Sequence, residues 1–205
     1  MRHLRRSCRP AFILPRISDD PMRADRPAER GGTGSSPRST DATTPMDHRN
    51  LRLRDWRADD RNLGLALFDS NTPRFFAASE RQDFIDFIDD LPGPYFVLED
   101  ADGRALGCGG YATARNDASK GVLCWGMVHG DLHREGLGSI LLAQRLARIA
   151  ADPSSRFVSI ETSQHSCGFF ARRGFVETRR TIDGFAAGMD LVEMTLALAR
   201  PAPAL

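Results

Sequence analysis

His133-Arg134-Glu135-Gly136-Leu137-Gly138-Ser139-Ile140-Leu141-Leu142 is a short polar turn with two glycines that runs straight into an apolar helix. Such a helix start leaves several backbone N–H groups without intrahelical acceptors, and the helix dipole adds partial positive charge there. Main chain alone then makes an anion site, suited to a pyrophosphate.

Working outward from this turn, the periodicity predicts an ordered series of elements. Asn50–Asp55 alternates like a strand, and residues 58–68 carry helical spacing through Leu63, Leu67 and Phe68. Ser79 is placed to cap a second helix with Phe84, Phe87, Ile88 and Leu91 on one face, ended by Pro92-Gly93-Pro94. Residues 95–99 read as a strand, Asp102-Gly103 as a hairpin turn and residues 105–114 as its second arm. A turn over residues 116–119 leads to a strand over 121–129, the glycine turn, and a helix to about Ala151. Residues 157–162 form a strand and 166–173 a short helix stopped by Gly174, with final strands over 175–182 and 191–198. Four strands precede the main helix, which predicts an α/β (α+β-like) fold rather than a doubly wound parallel one. Its sheet is mixed and mostly antiparallel, of about seven strands flanked by helices.

Composition sets the bounds. The chain has 205 residues, 41% apolar content and a formal net charge of +1, the profile of an ordinary globular protein with no apolar run long enough for a membrane span. Residues 1–45 hold nine arginines against five acids, and the remainder 19 basic residues against 22 acids. A mildly acidic domain offers no electrostatic footprint for nucleic acid. Cys8, Cys108, Cys124 and Cys167 show no Cys-x-x-Cys spacing, so reduced thiols and a cytoplasmic setting are expected. Residues 1–46 are rich in Arg, Pro and Ser and are read as a disordered extension, with Met46 as an alternative start. A transit peptide or a polyanion-binding tail are the other readings of that segment. The domain is expected over residues 47–200, with a tail at 201–205.

Two phosphate-binding patterns fail against the letters. A P-loop needs a lysine in the turn, and the chain's single lysine is Lys120. A dinucleotide fingerprint needs a third glycine where Leu141 stands, and it follows a βαβ unit rather than a meander. A strand, a turn of the type Gln/Arg-x-x-Gly-x-Gly/Ala and a long helix resemble the acetyl-CoA-binding motif of the GNAT N-acetyltransferases. Downstream, Ser166-Cys167-Gly168-Phe169-Phe170-Ala171-Arg172-Arg173-Gly174-Phe175 resembles that family's second signature. The element order matches the same fold along most of residues 50–199.

The resemblance implies acetyl transfer from acetyl-CoA to a primary amine by direct attack on the thioester. It also implies a central parallel strand pair that splays. Main chain near Met127 and Val128 would then pair with the pantetheine arm. The turn residues His133, Arg134, Glu135, Gly136, Leu137, Gly138 and Ser139 would hold the pyrophosphate, with Gln164, Phe169 and Phe170 against the cofactor. His133 stands where the family has Gln or Arg. Phe170 stands where the family has a tyrosine acid, and it has no proton to give. Candidates for proton transfer are therefore Glu161 as base, with His165 and Ser166 nearby; Cys167, Tyr111 or water complete the choices. His129 is read as a structural hydrogen-bonding residue. His129 and His133 lack a third partner at ligand spacing, so no metal is expected.

Segments 68–80 and 183–190 would border the acceptor through Asn71, Pro73, Phe75, Phe76, Asp183, Phe185 and Met189. They are compatible with a small-molecule or a peptide amine. The run Thr181–Asp190 is read as able to reach a partner subunit, which would make a homodimer. A non-catalytic acyl-CoA-binding protein is the alternative that Phe170 motivates, and nucleotide binding without CoA is a third.

Overall fold

The computed structural model describes residues 50–199; the expectations for residues 1–46 and 201–205 lie outside that range. Eleven main elements follow in chain order: β1 (Arg52–Asp55), α1 (Arg61–Asn71), α2 (Arg81–Asp89), β2 (Tyr95–Glu99), β3 (Ala105–Ala114), β4 (Asp117–Val128), α3 (Leu137–Ala150), β5 (Phe157–Thr162), α4 (Cys167–Ala171), β6 (Val176–Ala186) and β7 (Met189–Ala197). They form one seven-stranded sheet in the order β1-β2-β3-β4-β5-β7-β6. Every neighbouring pair is antiparallel except β4 and β5. The mixed, mostly antiparallel sheet expected from the order of elements is the one formed.

Alternation along β4 sends successive side chains to opposite faces. Met127 packs with Leu67, Phe68, Phe84 and Ile88 of α1 and α2. Val128 packs with Leu137 and Leu141 of α3. A further cluster joins Leu142 and Ile149 of α3 to Phe170, Val158, Ile160 and Val192. Helices therefore cover both faces, and α3 lies over the strands on which the site is built.

Three boundaries differ from the sequence reading. Helix α1 begins at Arg61, after a single 3-10 turn over Ala58–Asp60. The N-cap of the second helix is Glu80 rather than Ser79, at the end of a 3-10 turn over Ala78–Glu80 in which Glu80 Oε2 reaches back to accept the Ala77 N–H at 2.7 Å. The run expected to link the last two strands is instead the tip of their hairpin, turned at Ala187-Gly188 with Gly188 at φ +77°. Two carboxylates hold this tip where the register shifts between Thr181 and Ala186. Asp183 Oδ1 accepts the Gly188 N–H at 2.6 Å, and Asp190 Oδ1 accepts the Asp183 N–H at 3.2 Å.

The feature that positions the site is a parallel pair that stops early. β4 and β5 are paired only at Lys120–Phe157, Gly121–Val158 and Val122–Ser159. β4 then continues to Val128 and β5 to Thr162 without contact between their ladders, while β5 stays paired with β7 as far as Thr162–Val192. A wedge opens in the middle of the sheet.

Candidate active site

Several local features aim groups into that wedge. In β4, Cys108 faces Met127 and Gly110 faces Cys124, so Trp125 and Gly126 together oppose Gly109 as a β-bulge. Trp125 sits at φ +36°, and its carbonyl accepts the Tyr95 hydroxyl at 2.9 Å. The bulge bends β4 away from β5 at the level where pairing ends.

At the mouth of the wedge lies the glycine turn. Arg134 (φ +75°) and Gly136 (φ +79°) are both left-handed, and Gly136 is the N-cap of the 14-residue α3. The N–H groups of Ser139 and Ile140 bond to Gly136 O. Those of Arg134, Glu135, Gly136, Leu137 and Gly138 have no acceptor among the described residues. Five consecutive free amides in a left-handed turn at a helix start make a nest for an anion. A Cβ on Gly138 would meet only the Phe169 ring, at 3.6 Å, so no protein atom demands glycine there. Arg173 adds charge beside the nest: its Nη2 donates to Ser139 Oγ and its guanidinium lies 3.7 Å from the Phe169 ring centroid.

Behind the mouth is a cavity of about 950 Å³. Of the residues expected to hold the cofactor, Met127, Val128, His133, Arg134, Gly136, Leu137, Gly138, Ser139, Phe169 and Phe170 line it. Two do not. Glu135 offers its amide to the turn while its side chain stays out. Gln164 is used elsewhere: its Nε2 donates to Gly188 O at 2.7 Å and its Oε1 accepts the Asp190 N–H at 2.9 Å. It ties the loop after β5 to the hairpin tip instead of reaching the cavity.

The His133 ring is also committed to protein. Its Nε2 lies 2.9 Å from Asn71 Oδ1, and the ring packs on Phe75. Burial holds its pKa below the ordinary histidine value. Asn71, at the buried end of α1, donates in turn to Val128 O at 2.9 Å. A single amide thus fixes the turn and the end of β4 against α1. Val128's carbonyl is spoken for, as are His133's Nε2 and its N–H, which donates to Gly130 O at 3.4 Å. His129 caps the intervening turn, its Nδ1 accepting the Asp131 N–H at 3.3 Å. The two histidines have different partners. Among the described residues no three His, Cys, Asp or Glu side chains gather as a metal site.

The three candidates for proton transfer, Glu161, His165 and Ser166, all line the cavity. Glu161 alternates out of the core side of β5, where Val158 and Ile160 point. Its Oε2 is buried without a partner among the described residues. Burial, reinforced by Glu193 directly across the β7 ladder, pushes its pKa up to about 7. A second cavity carboxylate, Glu80, is also raised to about 7 by burial. Sequence reading passed over it because a Glu inside an amphipathic helical start looks like a solvated residue. His165 is exposed and also borders a shallower hollow of about 390 Å³ with Pro73 and Met189. Phe170 is 7% exposed, edge-on to Phe169 and Phe175. Tyr111 packs outside the cavity, so neither position supplies a phenolic acid. Asn71, Phe75, Phe76 and Phe185 of the expected acceptor border line the cavity; Asp183 does not.

A family profile described as an acetyltransferase (GNAT) domain matches residues 73–198. The chain belongs to the GNAT acetyltransferase family. It is accordingly an N-acetyltransferase by class, and its splayed β4–β5 pair is the GNAT arrangement. Among solved structures, one from Desulfovibrio desulfuricans described as a GNAT-family acetyltransferase is 20% identical, with a TM-score of 0.63. That match covers 73% of this chain and 99% of the other. A structure described as a phosphinothricin N-acetyltransferase is 22% identical, TM-score 0.59, over 73% and 99%. The spermidine/spermine N-acetyltransferase SpeG from Vibrio cholerae, in complex with manganese ions, is 14% identical, TM-score 0.55, over 72% and 92%. At these identities the likeness is one of fold. A comparison with curated proteins finds no significant match.

Proposed function

We propose that this GNAT protein transfers an acetyl group from acetyl-CoA to the primary amine of a small-molecule or peptide acceptor. One observation carries the reading: the free amides of the glycine turn at the mouth of the wedge, four of whose five residues line the cavity, and a carboxylate oxygen on Glu161 without a partner among the described residues face the same space. The amides of Arg134–Gly138 take the pyrophosphate, and Arg173 reinforces them with fixed charge. The pantetheine arm enters where β4 has lost β5, as an added strand.

Glu161, ionised at and above neutral pH, takes a proton from the incoming ammonium, directly or through water. The neutral nitrogen attacks the thioester carbon, the C–N bond forms and the C–S bond breaks. The second proton lost by nitrogen neutralises the departing thiolate. A thiolate is a modest leaving group, so a phenylalanine at position 170 is compatible with turnover. His165 and Ser166, at the cavity rim, contact the acceptor.

The same reading places the protein in the cytoplasm, with reduced Cys108, Cys124 and Cys167, and without nucleic-acid or membrane partners. No described helix is long and apolar enough to cross a bilayer. A homodimer through β6 is part of the proposal: β6 is an edge strand that exposes Val176 and Ile182. Phe170 supports a second reading, a non-catalytic acyl-CoA-binding protein. Thiol release from acetyl-CoA followed over a panel of amines separates the two. Turnover with any amine establishes transfer; CoA binding with no turnover on the whole panel leaves the binding protein.

A further inference from the structure

Three buried side-chain polar atoms lack a hydrogen-bond partner among the described residues: Arg145 Nη1, Glu161 Oε2 and Ser163 Oγ. All three residues line the same cavity. Glu161 is accounted for by the transfer chemistry. Arg145 is not.

Arg145 lies on α3 on the sheet-facing side and is 3% exposed. Its single hydrogen bond runs from Nε to Leu141 O at 3.2 Å, within its own helix. No carboxylate pairs with it among the described residues; the titratable groups whose charge acts on it are Tyr95, Cys124 and Cys108. The fold nevertheless makes room for the guanidinium at the bulge. A Cβ on Gly126 would fall 2.5 Å from both terminal nitrogens, and one on Gly109 3.0 Å from Nη1. The two glycines that face each other across the bulge are therefore shaped around this head group. Burial lowers its pKa to about 10, which leaves it charged at neutral pH. A buried cation with no counter-ion is costly, and a leucine-like side chain would fill an inward helix position at no such cost.

We propose that Arg145 anchors a carboxylate carried by one of the two reactants. The carboxylate is either that of an amino-acid-like acceptor or the far end of a dicarboxylic acyl group on CoA. Both sources present the same planar anion to the fork of Nη1 and Nη2. The proposal rests on the acyl-transfer reading of the cavity and names the chemical class of substrate within it.

The test is by binding, so that it stands apart from turnover. In one arm, dissociation constants of succinyl-CoA and acetyl-CoA are measured by calorimetry on the full chain. In the other, the CoA-saturated protein is titrated with amino acids and with the amines that differ from them only by loss of the carboxylate. The expected result is a preference of at least about tenfold for the carboxylated ligand in one arm. The arm identifies the source. Arg145→Met should abolish the preference and Arg145→Lys keep part of it. Because the methionine removes an unpaired buried charge, its ligand-free melting temperature should equal or exceed that of the wild type. A wild-type preference below about threefold in both arms overturns the proposal. So does a preference undiminished in Arg145→Met, or a drop in that variant's melting temperature with no loss of preference. Carboxylate preference without turnover on any amine would retire acetyl transfer and leave the anchor standing.

Discussion

Glu161→Gln separates catalysis from stability because the two should move in opposite directions. The wild-type carboxyl is raised from 4.5 to about 7 by burial, then by Glu193, with Lys120 and Arg179 opposing. Below the unfolded value both states are protonated and the group has no effect. Between that value and the folded one, the native state keeps a proton the unfolded chain has released, so stability falls as pH rises. Above the folded value the penalty is complete. Two to three units at 1.36 kcal/mol each would be about 3 kcal/mol; partial solvent access to the cavity reduces this to roughly 1–2 kcal/mol. For a domain of this size that is about 3–6 °C in melting temperature. Glutamine mimics the protonated acid, so the variant should match the wild type at about pH 4 and melt roughly 3–6 °C higher at about pH 8. In the same buffers its kcat/KM should fall about 100-fold or more, and the rising limb near neutrality should vanish. Differential scanning fluorimetry and a thiol-release assay across pH give both readings. A melting shift that is equal at the two pH values, or an unchanged rising limb, would refute the assignment of Glu161 as a buried base.

The glycine turn allows a paired comparison. Gly136→Ala forces a side chain into a left-handed N-cap, so it should cost about 1–2 kcal/mol of stability and weaken CoA binding. Gly138→Ala, with only the Phe169 ring at 3.6 Å, should leave ligand-free stability unchanged and still weaken CoA binding. Melting curves and CoA titration check both, and wild-type affinity in Gly138→Ala would show that the ligand does not approach that residue. Arg173→Gln removes a donor to Ser139 and charge at the nest, so the KM for acetyl-CoA should rise about tenfold with kcat unchanged and with a shallower salt dependence. Phe170→Tyr restores the phenol that the family's second motif carries; initial rates near neutral pH should show a gain of no more than about threefold, because the thiolate needs little help. A larger gain would mean that acid assistance limits the present protein.

The frame was readable in the sequence because it rests on local signals. Alternation in Leu191–Leu196, the Asp102-Gly103 hairpin and the proline-bounded end of α2 each depend on neighbours in the chain. The glycine turn was readable for the same reason: its free amides follow from Gly136 and the apolar helix behind it. What was not readable depends on contacts far apart in sequence. Gln164 looked like a polar residue free to meet a cofactor, and it is held by Gly188 and Asp190 more than twenty residues on. His133 looked like a phosphate donor, and Asn71 in α1 holds its ring. The hairpin tip at residues 183–190 read as a link because Asp183, Gly184 and Gly188 are turn formers; side-chain carboxylates keep it in the strands.

Glu80 and Arg145 share the reason they escape a pattern, whereas Glu161 was legible from its place at the end of β5. Each of the two is a charged residue in a place where periodicity asks for an apolar or a solvated one, and each lines the cavity of about 950 Å³. Patterns register such residues as noise, since burial of a charge lowers stability and no nearby opposite charge offsets it. On the proposed reading the compensation lies in the ligand. Two carboxylates raised to about 7 can accept protons near neutrality, and one guanidinium without a counter-ion can receive an anion. If those groups were only structural, neutral replacements would be expected to cost stability. If they serve substrate, the neutral replacements stabilise the ligand-free protein and cost binding or rate, which is why melting temperature and function must be measured on the same variants.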